Sequence, residues 1–217
     1  KEKIRMNRTH IDSIILAAGL VFLAGCGDGG GGGGLRNRDP GDNDVAVVVA
    51  FGDSFTKGNT CECDPYPRRL GPLIEKTVLN TGVPGSLATE NVARTQEAID
   101  KYHPGFMLIL YGVNDIIHGI GTGAIVQALE GMVETCKENQ VVPVLATYPE
   151  PLVDYVAFAD RVLLLNTRIR ELAKELDLSC VDLEHEFEAN PEFYEDIGLH
   201  PNDAGTQVMA LAFADLF

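Results

Sequence analysis

Residues 45–54 read VAVVVAFGDS: a valine-rich apolar run from Val45 to Phe51, then Gly52, Asp53 and Ser54. An unbroken run of this kind fits a strand buried on both faces, as in a parallel sheet, rather than one with a wet side. The same signature returns at 106–111 (FMLILY) and, more briefly, at 78–81, 141–147 and 180–183. Between these runs the apolar spacing becomes helical. Tyr66, Leu70, Leu73 and Ile74 share one side of 65–75, and Val92, Ile99 and Tyr102 one side of 89–102. Ile125, Leu129, Met132, Val133 and Cys136 follow the i, i+4, i+7, i+8 pattern. Further helices are expected over 156–176 and 204–217. Strands alternating with helices predict a three-layer α/β/α sandwich with a five-stranded parallel sheet. Ligands of such sheets sit beyond the carboxyl ends of the strands, near the reversal in strand order. The informative residues should therefore lie just after the strands.

The remaining composition narrows the function. The chain has 217 residues, 45% apolar and 23% charged, enough for one ordinary globular core without a metal or a disulfide. With 17 basic and 32 acidic side chains the net charge is −15, and no run of Lys or Arg offsets it. A phosphate backbone is repelled by such a surface, so nucleic acid is not an expected partner.

Lys1, Lys3, Arg5 and Arg8 precede an apolar run from Ile14 to Ala24, too short to span a bilayer and shaped like a secretory signal. The run closes on Leu23-Ala24-Gly25-Cys26, which resembles the bacterial lipobox. That resemblance implies cleavage after residue 25, diacylation of Cys26 and, with Gly27 following, anchoring at the outer membrane. Glycines 29 to 34 and the polar stretch after them show no apolar period and read as a tether. The expected organisation is a signal over 1–25, a Gly-rich tether over 26–44 and one domain over 45–217. Without the four basic and two acidic groups of residues 1–25, the net charge becomes −17.

Three clusters follow strands. Gly52-Asp53-Ser54 puts a hydroxyl at the sheet edge, where a base could make it a nucleophile. Gly112-Val113-Asn114-Asp115 offers an amide donor beside it, although Asp115 alone would suit a helix cap. Asp196-Ile197-Gly198-Leu199-His200-Pro201-Asn202 precedes the last helix, with Pro201 holding His200 extended. Each cluster alone is a common turn. In this order, with Asn80-Thr81-Gly82-Val83-Pro84-Gly85 between the first two, they resemble the SGNH, or GDSL, hydrolase family. The resemblance runs from Val45 to the end of the chain and implies a serine esterase. Ser54 would attack the ester carbonyl, and His200 would take its proton and return it to the leaving alcohol. The N–H groups of Ser54 and Gly85, with the Asn114 side chain, would form the oxyanion hole. The family places its Asp three residues before the His, where this chain has Ile197; Asp196 lies four before. A one-residue bulge would bring Asp196 to the imidazole. Otherwise His200 works as a Ser–His dyad, oriented by a backbone carbonyl or by Glu195, while Asp203 reads as a helix cap.

The layout of the blocks closely resembles that of small bacterial arylesterases, lysophospholipases and thioesterases, which implies small esters with short to medium acyl chains. Carbohydrate O-acetyl esterases share the same blocks. The apolar loop 148–159 is expected to form part of the acyl pocket. No cofactor or metal is expected, and the spacing of Cys61, Cys63, Cys136 and Cys180 matches no common zinc module. Export permits disulfides, and these four thiols allow three pairings. The rival from another class is a flavodoxin-like FMN-binding protein, because residues 54–60 resemble a phosphate-cradling loop. That loop is one residue too long, and flavin binding leaves the Asn114 and His200 clusters without a purpose.

Overall fold

A computed structural model describes residues 34–36, 39–58 and 61–217; the expected signal and Cys26 lie outside these residues. The strands are β1 (Asp44–Gly52), β2 (Thr77–Asn80), β3 (Pro104–Leu110), β4 (Val142–Ala146) and β5 (Ser179–Val181). They form one sheet in the order β2-β1-β3-β4-β5, and every neighbouring pair is parallel. This is the expected α/β architecture. β3 and β4 are buried at every position and β1 from Val48 to Gly52, as their unbroken apolar runs require. The strand order reverses between β1 and β3, so the rim at the carboxyl ends of these two strands is where a ligand is expected.

The helices are α1 (Ser54–Lys57), α2 (Tyr66–Ile74), α3 (Val92–Tyr102), α4 (Val113–Ile117), α5 (Thr122–Glu138), α6 (Ala159–Glu175), α7 (Leu183–Phe187) and α8 (Asp203–Ala214). α3, α5 and α6 pack in series on one face of the sheet; α2 and α7 pack against α8 on the other. The stripe read from α5 (Ile125, Leu129, Met132, Val133 and Cys136) is buried throughout, and Tyr66 of α2 stacks on Phe213 of α8 at 4.8 Å.

The structure departs from the sequence reading at element ends. The helix expected from 156 begins at Ala159, because Val153–Phe158 forms a 3-10 turn instead. The strand expected to reach residue 183 ends at Val181, where the Asp182 carboxylate accepts the His185 N–H and caps α7. Residues 35–36, expected within the tether, are docked on the domain. Leu35 is buried and donates its N–H to the Leu216 carbonyl at 3.2 Å, and the Arg36 N–H reaches Ser179 Oγ at 2.8 Å. Ser179 opens β5, and Phe217 packs edge-on against Phe106 near the start of β3. Leu35 and Arg36 therefore sit at the amino-terminal edge of the sheet, opposite the rim.

Candidate active site

Ser54 owes its position to the two residues before it. At Gly52 a Cβ would lie 2.5 Å from the Leu110 carbonyl and 2.2 Å from Thr56 Oγ1, so only glycine lets β1 leave the sheet this tightly. Asp53 then caps α1, accepting the Phe55 N–H on Oδ1 at 2.9 Å. Ser54 is the first residue of that single turn, which leaves its backbone N–H outside the helical ladder. Gly58, in the left-handed region at φ +66°, ends the turn.

His200 arrives from the far end of the chain. Its carbonyl accepts the Glu195 N–H at 2.9 Å, and Pro201 bridges to Tyr194. The Asn202 side chain caps α8 through Gly205 N–H and donates to the carbonyls of Glu192 and Tyr194. The result is a loop whose imidazole Nε2 stands 2.8 Å from Ser54 Oγ. Phe55 backs the ring at 5.4 Å. Burial lowers the His200 pKa below the usual imidazole value, so the ring is held neutral and able to accept a proton.

Asp196 is not brought to this pair. Its side chain lies on the exposed part of the loop, and no hydrogen bond joins it to His200 among the described residues. The turn between them is closed by the Gly198 N–H on the Glu195 carbonyl, and Gly198 itself is left-handed at φ +74°. The one-residue bulge thus does not turn the carboxylate toward the ring. Asp203 begins α8 and pairs with Arg69, while the cap itself is Asn202.

The residues proposed to face the oxyanion meet beside Ser54. After β2 the chain passes close over α1: a Cβ on Gly82 would stand 2.4 Å from Lys57 N and 2.8 Å from the Asp53 carbonyl. Asn80 shapes the turn, donating to the Thr56 carbonyl and accepting the Gly82 N–H. Gly85 is left-handed at φ +74° with open space around it. Asn114, in the first turn of α4, donates its side-chain amide to the Ser86 carbonyl at 3.1 Å and to Asp53 Oδ2 at 3.3 Å. Two acceptors on one nitrogen fix which end of the amide faces the site. Asp115 is buried and accepts the N–H groups of Ala88 and Thr89, so it pins the 3-10 turn Ala88–Glu90 instead of capping its own helix.

Sequence reasoning missed Arg94, Tyr111, Ser86 and Tyr148, which support this arrangement, and gave Asp53 no role. The Arg94 guanidinium lies 4.4 Å over the Phe51 ring, donates to Tyr111 Oη at 2.6 Å and to the Thr81 carbonyl, and so braces the loop bearing Gly85. Ser86 Oγ donates to the same Tyr111 oxygen at 3.1 Å. Tyr148, just beyond β4, donates to Asp53 Oδ2 at 2.7 Å. Asp53 is fully buried, and burial pushes its pKa up to about 7. The only advance signal was the type of residue: a Tyr at a strand end and an Asp before the nucleophile.

Cys61 and Cys63 are paired as a disulfide, and Cys136 remains a buried thiol, pushed up to about 12. The bridge, with Asp64, Arg69 and Asp203, lines a shallow open basin on the α8 side of the His200 loop.

A hydroxyl in contact with a neutral imidazole, beside a fixed amide donor, is an arrangement that can transfer an acyl group. Residues 50–208 match the model of the GDSL-like lipase/acylhydrolase family, and that span holds every residue named at this rim. The chain belongs to this family. As a GDSL-type acylhydrolase, it is a carboxylic ester hydrolase acting on small esters. It is 26% identical over 160 residues to an arylesterase from Vibrio mimicus, covering 71% of this chain and 79% of that one. Its fold matches an alpha/beta hydrolase from the metagenome of Lake Arreo, with TM-score 0.68, 20% identity, and 78% and 94% of the two chains covered. It also matches an acetylxylan esterase from Geobacillus stearothermophilus, with TM-score 0.67, 17% identity, and 79% and 93% covered. The solved forms of that esterase include serine-to-alanine and histidine-to-alanine catalytic mutants.

Proposed function

We propose that this GDSL hydrolase cleaves esters of short to medium acyl chains through a covalent acyl-serine, with Ser54 as nucleophile and His200 as general base. The observation that carries the reading is the 2.8 Å contact between Ser54 Oγ and His200 Nε2. Ser54 Oγ bonds to the ester carbonyl carbon as its proton passes to Nε2. The carbonyl oxygen, now negative, is met by the N–H groups of Ser54 and Gly85 and by the Asn114 amide. The intermediate collapses, the C–O bond to the alcohol breaks, and the alcohol leaves with the proton held on Nε2. Water then repeats the sequence on the acyl-serine and restores the enzyme. His200 acts without Asp196, as a dyad whose ring is held by the Glu195 N–H on its backbone, by Phe55 and by burial.

Two features support apolar aryl or alkyl esters. A sequence relative that matches along most of the chain is an arylesterase. The 148–159 loop leaves Val153 and Val156 exposed, and its backbone is joined to Ile197 and Gly198 of the His200 loop. A second reading, removal of acetyl groups from carbohydrate, draws on the acetylxylan esterase of the same fold. A panel of p-nitrophenyl esters of rising chain length, run beside acetylated xylan, separates the two. The first reading predicts turnover of the short and medium esters and little acetate from xylan, and the reverse pattern selects the second.

The lipobox-like Leu23-Ala24-Gly25-Cys26 supports a lipid anchor on Cys26 at the bacterial outer membrane. Because Leu35 and Arg36 dock at the edge of the sheet opposite the rim, an anchored enzyme would carry its catalytic face away from its point of attachment. Labelling with a palmitate analogue should mark the native chain and not Cys26→Ser; equal labelling would rule the anchor out.

A further inference from the structure

Tyr148 is fully buried beyond β4, its ring edge-on to Phe55 at 5.1 Å. A phenylalanine would fill the same space. The hydroxyl donates to Asp53 Oδ2 at 2.7 Å and also meets the backbone N–H of Val113, the residue before Asn114. That oxygen also accepts the Asn114 amide at 3.3 Å, while Oδ1 holds the cap of α1. One carboxylate thus joins the turn that carries Ser54, the turn that carries Asn114 and the end of β4. Asn114 has two amide hydrogens, and both are engaged, one on Asp53 and one on the Ser86 carbonyl. To meet an oxyanion, one bond must be exchanged. Asp53 is locked by two further donors, whereas Ser86 follows Gly85, around which there is open space.

We propose that Tyr148 is a positioning residue for ester hydrolysis: through Asp53 it fixes the plane of the Asn114 amide, so that the N–H resting on Ser86 is the one given to the oxyanion. This rests on the reading of Asn114 as an oxyanion donor. It also predicts a pH signature. The groups facing Asp53 are Tyr148 beyond β4, Tyr66 on α2, Tyr111 after β3 and Asp115 on α4. Burial raises the Asp53 pKa to about 7, and the Tyr148 hydrogen bond opposes that rise. Without the phenol O–H the pKa moves higher still, and a protonated Asp53 is a poorer acceptor for Asn114.

The test is Tyr148→Phe in the full chain, with kcat and KM for p-nitrophenyl acetate measured from acid to alkaline pH. The expected result is a kcat lowered about tenfold, less than loss of an oxyanion donor itself, with KM little changed. The acid limb of the pH profile should move to higher pH, a shift that a purely structural role would not produce. In an Asn114→Ala background the same change should have no further effect on kcat. Unchanged kcat and pH profile in folded Tyr148→Phe, or a full multiplicative loss in the Asn114→Ala background, overturns the proposal. Should Tyr148→Phe fail to fold, Asp53→Asn provides the test: it should lose kcat similarly, and unchanged kcat overturns the proposal. Hydrolysis retained by Ser54→Ala would overturn the nucleophile assignment and this proposal with it, a result distinct from an inert Tyr148→Phe.

Discussion

At the scale of single residues, the site separates groups that meet the substrate from groups that hold them. Asp196→Asn tests the dyad. A carboxylate orienting the imidazole would cost on the order of 10⁴ in kcat when replaced by its amide, whereas an exposed Asp196 with no bond to His200 predicts a change of less than about threefold. Asp53 makes a prediction about stability. Its pKa, raised in the fold from the usual carboxylate range to about 7, favours the protonated form, so its contribution to stability is complete below the unfolded pKa. That contribution is lost as pH rises through about 7. Asp53→Asn has no such dependence. Its melting temperature relative to the native chain should rise between acid and neutral pH and level off above, by an amount worth at most about 4 kcal/mol. A difference that does not vary with pH would contradict the assigned pKa. Ser54, Asn114 and His200 could be read in the sequence because each follows a strand or precedes the last helix in a short fixed pattern. Tyr148 could not, because its partner is 95 residues away and only the closed sheet brings them together. The offset of Asp196 was visible as a count, but not which way a left-handed Gly198 would turn the side chain.

At the scale of elements, glycines decide how closely the strand-end loops approach. Gly82→Ala places a Cβ 2.4 Å from the Lys57 nitrogen, which belongs to backbone and cannot step aside. It should cost about 1–3 kcal/mol by overpacking and reduce kcat by displacing Gly85, with thermal melting and ester turnover as the readouts. The long elements were legible because their burial is continuous: β3, β4 and the Val48–Gly52 part of β1 are buried at every position, and α5 carries an unbroken stripe. α1, α4 and α7 escaped notice because single-turn helices hold too few residues to show a period. The start of α6 was misplaced because the apolar residues of 153–158 fit a helix, yet the backbone there is tied to the His200 loop. Leu152 N–H binds the Gly198 carbonyl at 2.7 Å, and Val153 is forced to φ +47°. That conformation is strained for a β-branched side chain, and strain of this kind gathers at functional loops.

At the scale of the whole molecule, the candidate site and the docked Leu35–Arg36 segment occupy opposite edges of one sheet. The strand reversal between β1 and β3 puts Ser54 and Asn114 on neighbouring strand ends, and α8 returns the chain from His200 to the far edge. Leu35 packs there against the closing residues of the chain, so Leu35→Ala should lower stability by about 2 kcal/mol and leave kcat unchanged. A fall in kcat without a fall in melting temperature would show that the two edges are coupled. The Cys61–Cys63 bridge closes a very short loop, for which chain entropy gives about 1.5 kcal/mol; replacing both cysteines by serine should cost little stability and no activity. The central claim, that Ser54 is made nucleophilic by His200, has a direct measurement. A fluorophosphonate probe is applied to the native chain and to His200→Ala, and the labelled peptide is identified by mass spectrometry. The expected result is stoichiometric label on Ser54 in the native chain and a loss of labelling rate of several orders of magnitude in His200→Ala. Label on another residue, or equal rates in both proteins, would contradict it.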